Sequence, residues 1–379
     1  NISYMKFTVS SSELLQILLS VSKAISNKSP LPILDNFLFV LSGDTLEITA
    51  SDSETTLKSS LKIDQVVEEG EIAVPAKLLT DSLKSFPEQP LSFVTKASES
   101  VIQISWANGE SQLPFFPAED YPQLQELSDD TTELTIPAEI LLDAINNTIY
   151  AVADDEFRPV MNGIFFDISA QGTTFVASDA HKLVCFTTPE VSLEKNASFI
   201  LHKKPAFILK NSISKGTEDV IVKFNNKNAI FQIDGTTMIC RLIEGKFPAY
   251  QSVIPKNNYN KLYIGRTDLL NAVKRVAICS NQATNHIKLK LATNLLTVSA
   301  QDLGFSIAAH EQLVCQYEGD QFEIGFKAPY LTEILSNLPY DDICIELADA
   351  CRAILIVPAD KESADTDICA LVMPLMINA

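Results

Sequence analysis

The sequence predicts an α+β fold built from three tandem copies of one domain, each with two helices and an antiparallel sheet. Three landmarks recur in the same order, at spacings of 123 to 128 residues. Segments such as 46–49 and 221–224 alternate apolar and polar residues, which is typical of half-buried strands. A period of this length matches one domain and is too long for a solenoid repeat. We therefore expect domains at residues 1–130, 131–258 and 259–379.

The first landmark is a short alternating strand that leads into a helix, at 7–18, 134–145 and 262–273. Ser10, Pro137 and the pair Thr267-Asp268 stand where the helix would begin, and such residues favour helix starts. The apolar residues that follow recur at helical spacing. The first helix of each copy is therefore expected within 10–28, 137–153 and 267–280.

The other two landmarks are a strand that ends in a turn and a second strand–helix junction. The turns are Ser51-Asp52, Ser178-Asp179 and Gln301-Asp302. The junctions carry Pro75, Pro205 and Pro329, and proline is tolerated in the first turn of a helix because the N–H groups there have no intrahelical partner. The second helices are expected within 76–86, 203–215 and 328–338.

Charge is distributed unevenly along the chain. The sequence has 29 Lys+Arg against 48 Asp+Glu, a net charge of −19, which excludes a generally basic nucleic-acid coat. The six helical segments together carry +4 and the rest carries −23. This difference indicates one mildly basic face, although ordinary solvated helices would give the same count. No apolar run approaches the roughly 18 residues of a membrane span, and the start does not resemble a signal peptide, so we expect a soluble cytoplasmic protein.

Catalytic and metal-binding patterns are absent from the sequence. It contains no G-x-G-x-x-G, Walker A, G-x-S-x-G or H-E-x-x-H motif and no C-x-x-C pair, so we expect no catalytic residue, metal or cofactor. The one carboxylate cluster, Asp154-Asp155-Glu156, is read as a solvated loop. Two alternatives stay open: a Mg²⁺-dependent nuclease that uses this cluster, and a structural or adhesive repeat protein.

Seven further motifs are spread over nearly the whole chain. They are Met5-Lys6-Phe7-Thr8-Val9, Leu31-Pro32-Ile33-Leu34-Asp35-Asn36, Asn162-Gly163-Ile164-Phe165-Phe166, Ala177-Ser178-Asp179-Ala180-His181-Lys182-Leu183, Gly245-Lys246-Phe247-Pro248-Ala249-Tyr250, Val253-Ile254-Pro255-Lys256 and Val372-Met373-Pro374-Leu375. Together with the threefold repeat, these motifs resemble the bacterial sliding clamps, the β subunits of DNA polymerase III. The resemblance implies the DNA clamp fold, with helices that line a ring and sheets outside. It also implies a non-catalytic, nucleoid-associated processivity factor without membrane contact.

The resemblance further implies the partners of the chain. A head-to-tail homodimer would form the ring and encircle double-stranded DNA without regard to sequence. The ring would tether the replicative polymerase catalytic subunit, the clamp loader and other proteins with a clamp-binding motif. The positions that match the DNA-facing residues are Lys28, Arg158, Lys203, Lys204, Lys274 and Arg275.

Two further sites follow from the resemblance. The dimer interface would pair edge strands of the first and third domains, with apolar contacts from Leu113, Ile278 and Cys279. A peptide groove between the second and third domains would involve Met161, Ser178, Ala180, His181, Lys182, Leu183, Pro248, Val253, Ala353, Leu371, Val372, Met373, Pro374 and Leu375. The chain has Lys182 and Met376 where the family usually has arginine, so polar contacts to a bound peptide should differ.

Overall fold

A computed structural model describes residues 5–26, 31–63, 65–122, 127, 131–360 and 367–376. Contacts divide the chain into two compact units. The first unit comprises residues 1–139 and 208–242, and the second comprises 140–207 and 243–379. Because this division cuts the chain differently from the predicted domains, the boundaries at 130 and 258 stay a prediction.

Six helices occur in the described part of the chain, and all six were expected from the sequence. They are α1 Ser11–Val21, α2 Ala76–Leu83, α3 Ala138–Thr148, α4 Lys203–Ser212, α5 Arg266–Ala277 and α6 Ala328–Asn337. Three start signals act as predicted: Ser10 caps α1 by accepting a hydrogen bond from the Glu13 N–H, and Pro75 and Pro137 directly precede α2 and α3. The pair Thr267-Asp268 instead lies inside α5, which begins at Arg266 after Gly265 and has no side-chain cap. No helix in the described ranges is long and apolar enough to cross a membrane.

The strands account for most of the remaining chain. The first third contains β1 Lys6–Ser10, β2 Asn36–Ser42, β3 Thr45–Ser51, β4 Thr55–Lys62, β5 Gln65–Glu68, β6 Gly70–Pro75, β7 Pro90–Lys96, β8 Val101–Trp106, β9 Gly109–Pro114 and β10 Phe116–Pro117. The middle third contains β11 Thr132–Pro137, β12 Gly163–Ser169, β13 Gly172–Ser178, β14 Lys182–Thr188, β15 Ala197–His202, β16 Asp219–Phe224, β17 Asn228–Ile233 and β18 Thr236–Arg241. The last third contains β19 Asn260–Gly265, β20 His286–Ala292, β21 Leu295–Asp302, β22 Ile307–Val314, β23 Gln316–Tyr317, β24 Phe322–Lys327, β25 Asp342–Leu347, β26 Ile354–Pro358 and β27 Asp367–Val372.

Each unit contains two antiparallel sheets. The first unit has the sheets β5-β1-β7-β8-β9 and β10-β6-β2-β3-β4-β18-β17-β16-β11. The second unit has the sheets β15-β12-β13-β14-β27-β26-β25-β19-β23 and β22-β21-β20-β24. In the first unit α1 packs on α2, and in the second α5 packs on α6. This architecture confirms the predicted α+β class with antiparallel sheets.

One strand arrangement occurs three times, as the sequence repeat predicts. The group β6-β2-β3-β4 corresponds to β15-β12-β13-β14 and to β24-β20-β21-β22, while β1-β7-β8-β9 corresponds to β11-β16-β17-β18 and to β19-β25-β26-β27. Two strand pairings join a group of the first kind to a group of the second kind, and we call each pairing a seam. In the first seam β4 pairs with β18, and in the second β14 pairs with β27. In the third copy of the first kind of group, β22 is the counterpart of β4 and β14, and in the first copy of the second kind, β9 is the counterpart of β18 and β27. In the described sheets, β22 and β9 are outer edge strands.

Candidate functional site

The seam between β14 and β27 in the second unit gathers the predicted groove residues, and a tight turn begins it. The Asp179 Oδ1 accepts hydrogen bonds from the N–H groups of His181 and Lys182, both at 2.9 Å. Ser178 Oγ accepts one from the Ala180 N–H and donates one to the Lys182 carbonyl. Ala180 has a φ of 73°, in the left-handed region. The turn leaves His181 exposed, whereas Ser178 is buried and holds the backbone.

Lys182 is buried in a cluster of charges instead of lining an open surface. Its side chain is 5% exposed, and Nζ lies 2.6 Å from Asp179 Oδ2 and 2.8 Å from Glu333 Oε2. The ammonium also lies 5.0 Å from the ring centroid of Tyr330, on which the imidazole of His181 stacks at 5.2 Å. Glu333 and Tyr330 belong to α6. Lys182 therefore ties the turn to this helix.

The pKa shifts in this cluster follow from its hydrogen bonds. Burial alone would raise the pKa of Asp179, but the bonds from Lys182 Nζ and the backbone N–H groups of Lys182 and His181 outweigh it and lower the pKa below 3.8. Burial would lower the pKa of Lys182, yet the bonds to Asp179 and Glu333 raise it above 10.5. Both groups stay charged near neutral pH.

Removing this ammonium should destabilise the second unit. We expect Lys182→Met to lower the free energy of unfolding by about 2–3 kcal/mol at pH 7, since two carboxylates lose their counter-charge. Because the folded pKa of Asp179 is lowered, its stabilising contribution is present above 3.8 and disappears as the pH falls through the folded pKa. Urea unfolding of the unaltered chain and of the variant, at pH 7 and at a pH below the folded pKa of Asp179, would measure both effects. Lys288→Met, at a half-exposed ion pair with Glu323, is the control and should cost under about 1 kcal/mol; equal losses in both variants would contradict the role of Lys182.

Below the turn, the seam is apolar. Leu183 lies opposite Leu371 in the pairing of β14 with β27, and both are buried in one cluster with Ala353, Phe247 and Tyr250. The partly buried members of this cluster include Val160, Ile254 and Cys369. The predicted residues Leu183, Ala353 and Leu371 therefore share one apolar floor.

The rim of the floor is exposed. Val253 and Met373 are each about half exposed, and Pro248 is also exposed. Backbone bonds fix the final segment, because the Met373 N–H donates to the His181 carbonyl at 2.9 Å and the Leu375 N–H donates to the Gly325 carbonyl at 2.8 Å. Pro374 is half-buried between them, whereas Met161 and Val372 are buried. An apolar floor with a half-exposed Met and Val rim suits a short apolar peptide.

Sequence reasoning missed several residues of this site. Tyr330 and Glu333 reach the turn from a helix about 150 residues further along the chain, and no local pattern marks them. Phe247 and Tyr250 lie inside a motif already singled out, so that motif could have indicated them.

Comparison with known proteins identifies the family. Models of the N-terminal, central and C-terminal domains of the DNA polymerase III beta subunit match residues 5–125, 135–249 and 251–375. The chain belongs to the DNA polymerase III beta subunit family. It is therefore a three-domain clamp and a non-catalytic factor of DNA replication, and neither the nuclease nor the adhesive alternative holds.

Known clamps match this chain over nearly its full length. The beta sliding clamp of Vibrio cholerae is 27% identical over 360 residues, which cover 95% of this chain and 98% of that protein. The beta sliding clamp of Pseudomonas putida is 28% identical over 375 residues, covering 98% and 100%. The crystal structure of the Pseudomonas aeruginosa sliding clamp bound to griselimycin has a TM-score of 0.92 at 26% identity and covers 98% and 100%.

The basic residues predicted to face DNA differ in their surroundings in this clamp. Arg275 on α5 is exposed and donates hydrogen bonds from its guanidinium to both carboxylate oxygens of Glu311 on β22, which raises its pKa. The Nη2 atom of Arg158 lies 2.7 Å from Asp155 Oδ2, so this guanidinium also forms an ion pair. Lys203 and Lys204 form the first turn of α4, Lys274 is exposed on α5, and Lys28 lies outside the described residues.

The acidic cluster of the clamp is a structured turn. The Asp155 carboxylate accepts hydrogen bonds from the Phe157 N–H and the Arg158 guanidinium. The side-chain amide of Asn162 accepts a hydrogen bond from the Asp155 N–H and donates one to the Asp155 carbonyl. The hydrogen bonds from the Arg158 guanidinium and from the Phe157 N–H lower the pKa of Asp155. Within the described ranges, no group of three His, Cys, Asp or Glu side chains is arranged to hold a metal ion. Asp155 therefore shapes the loop that carries Arg158.

Of the predicted interface residues, Leu113 lies on an open edge strand of the clamp, whereas Ile278 and Cys279 follow a helix. Leu113 belongs to β9 and is buried. Ile278 follows α5 and is 77% exposed, and Cys279 beside it is half-buried. On the other edge strand, β22, Ile307 and Val314 are exposed apolar residues. Edge strands of this kind are open to pairing with another chain.

Proposed function

We propose that this chain forms a homodimeric ring that encircles duplex DNA and tethers the replicative polymerase to it. The domain boundaries at 130 and 258, the cytoplasmic, nucleoid-associated location and the contacts to the polymerase and clamp loader belong to the same proposal. The observation that carries it is the repeated seam: β4 pairs with β18 and β14 with β27, while β9 and β22 hold the matching positions at open edges.

The two internal seams define a register for the third. Cys240 lies opposite Thr55 in the first seam, and Val372 lies opposite Lys182 in the second. Thr55 and Lys182 are the first residues of their strands. In each seam, the residue before this first residue accepts a backbone hydrogen bond from the opposite strand: Glu54 in the first seam and His181 in the second. The pairs Thr55–Cys240 and Lys182–Val372 are therefore of the close, non-hydrogen-bonded kind.

The third seam would join two copies of the chain. Ile307 is the first residue of β22, and Leu113 occupies in β9 the place of Cys240 in β18, counted along the matching strand pairings. Leu113 would thus lie opposite the partner's Ile307, and Ser111 opposite the partner's Ala309. Ile278 and Cys279, at the end of α5, would cover this apolar pair. Two such seams close a symmetric dimer into a ring.

The charge distribution supports the passage of DNA through such a ring. The helical segments carry +4 and the rest carries −23, so helices that line the hole would meet phosphates while the outside repels them. The ion pairs of Arg158 and Arg275 keep the positive potential modest. Weak, sequence-independent contact lets a ring slide, since enclosure and not affinity keeps it on DNA.

The groove supports tethering. Met373 and Val253 form a half-exposed rim above a buried floor of Leu183 and Leu371. This apolar surface would bind the tails of several different replication proteins in turn. The related Pseudomonas aeruginosa clamp binds griselimycin. In this chain, polar contacts of the peptide would not use Lys182, because that ammonium is held by Asp179 and Glu333.

Small-angle X-ray scattering behind a sizing column tests the ring. We expect a species of about 83 kDa, twice the 41.7 kDa of the chain, with the pair-distance profile of a hollow ring. A 41.7 kDa particle at tens of micromolar would overturn the proposal.

A charge-reversal prediction tests the DNA-facing helices. Lys203→Glu with Lys204→Glu should weaken duplex binding and lower the slope of log affinity against log salt by roughly 2, because two phosphate contacts are lost. Fluorescence anisotropy with a labelled duplex over a salt series measures this. The control, Lys62→Glu with Lys290→Glu, makes the same charge change on exposed strand residues. Equal slopes in both variants would mean that α4 does not face DNA.

A further inference from the structure

The hairpin between β21 and β22 is longer than its two counterparts. Two residues separate Asp52 from the start of β4, and two separate Asp179 from the start of β14. Four residues, 303–306, separate Asp302 from the start of β22. The extra length thus occurs in the one repeat whose following strand lies at an open edge.

The longer hairpin exposes two large apolar side chains. Leu303 is 83% exposed and Phe305 is 78% exposed, although Asp302 beneath them is buried. Asp302 accepts hydrogen bonds from the Gly304 N–H at 2.8 Å and from the Asn281 side chain at 3.0 Å, which fixes the base of the hairpin beside the end of α5. A fixed loop with two exposed apolar residues next to an apolar edge strand indicates an interaction surface.

The internal seams indicate what lies against such a turn. In the first, the Arg241 N–H donates to the Glu54 carbonyl at 2.9 Å, and in the second the Met373 N–H donates to the His181 carbonyl at 2.9 Å. In each seam, the turn that precedes β4 or β14 is therefore hydrogen-bonded to the residue that follows the last paired residue of β18 or β27. In the third seam, that residue would be the partner's Pro114.

Pro114 changes the chemistry at this point. Proline has no N–H, so the bond that the other two seams make at this position has no donor in the third. The segment that continues from Pro114 is apolar and partly exposed: Phe116 is half exposed and Pro117 is exposed. The missing hydrogen bond and the apolar surface occur at the same place.

We propose that Leu303 and Phe305 form an apolar arm that packs on the segment 114–117 of a second copy of this chain. The inference rests on the proposed ring. The second copy is the occupant that the observations favour, because the arm continues the edge strand β22 and the segment 114–117 continues the edge strand β9. The arm would bury apolar area where the strand ladder loses a bond. A symmetric ring would contain two such contacts.

The variant Leu303→Ser with Phe305→Ser tests the arm. We expect the dimer dissociation constant, measured by sedimentation velocity over a dilution series, to rise at least about 100-fold, because apolar burial is lost at both interfaces. Thermal unfolding of the single chain should stay unchanged, since both side chains are exposed there. Phe157→Ser, at a similarly exposed phenylalanine outside the interface, is the control and should leave the constant unchanged.

The outcomes separate the arm from the ring. If the unaltered chain stays monomeric at all concentrations, the ring fails and the arm with it. If the unaltered chain dimerises and the arm variant dimerises equally well, the ring stands and the arm is wrong. A photo-reactive benzoylphenylalanine at position 305 locates the contact: we expect cross-links to the partner's segment 114–117, and cross-links only within one chain would overturn the arm.

Discussion

Ile278→Asp with Ile307→Asp is expected to convert the dimer into a monomer. Ile278 is 77% exposed and Ile307 is also exposed in the single chain, so the substitutions should leave the fold intact. In the proposed third seam, Ile307 lies in a close pair with the partner's Leu113, and Ile278 covers that pair. Aspartate at either position would bury a charge without a counter-ion, and the penalty applies at both interfaces of the ring.

Light scattering behind a sizing column measures the result as a fall from about 83 kDa to the 41.7 kDa of one chain. Val253→Asp with Val67→Asp is the matched control, because it places the same two charges at exposed apolar residues away from the proposed seam and should leave the mass unchanged. A variant that keeps the dimer mass and unfolds normally would exclude the assigned edges.

The elements that local signals define were predictable from the sequence. Ser10 and Pro75 mark helix starts through their own side chains, and the alternation of apolar residues marks the strands within a few positions. Because the three copies repeat these signals, the six helices and the antiparallel class followed without any knowledge of tertiary contacts.

The roles of single side chains in the site were less predictable. Lys182 was placed in the groove by its motif, but its burial depends on Glu333 and Tyr330, which come from a distant helix. Similarly, Arg275 has the charge of a DNA contact, but Glu311 on a neighbouring strand engages its guanidinium. Long-range pairing of charges leaves no periodic trace in a sequence, so it becomes visible only when the strands and helices are brought together.

The sheet edges show the same limit in another form. The sequence gives three copies of a strand pattern, but it does not say which strands pair between copies. The structure supplies two seams, and the repeat then transfers their register to the open edges. The register for Leu113 and Ile307 therefore needs both the repeat and the fold.

The second large effect is expected in the groove, where Val253→Ala with Met373→Ala should reduce the binding of a polymerase tail peptide by at least about 50-fold. Both side chains are half exposed on the rim, so their truncation removes apolar contact area that only a bound peptide would cover. Leu371→Ala with Met373→Ala should abolish binding, but Leu371 is part of the buried floor, and its truncation would also cost about 2–5 kcal/mol of stability. The rim variant thus separates binding from folding.

Fluorescence anisotropy with a labelled apolar peptide from a polymerase tail measures this affinity, and light scattering on the same samples should show the unchanged dimer. Val67→Ala, at an exposed apolar residue of β5 in the first unit, is the control for the loss of surface methyl groups. Because Lys182 is held by two carboxylates, the peptide affinity should also depend weakly on salt, as expected for apolar contact without an accessible ammonium. Undiminished binding by the rim variant would place the peptide site outside the seam of β14 and β27, whereas a steep salt dependence would mean that charged residues beyond this groove carry the affinity.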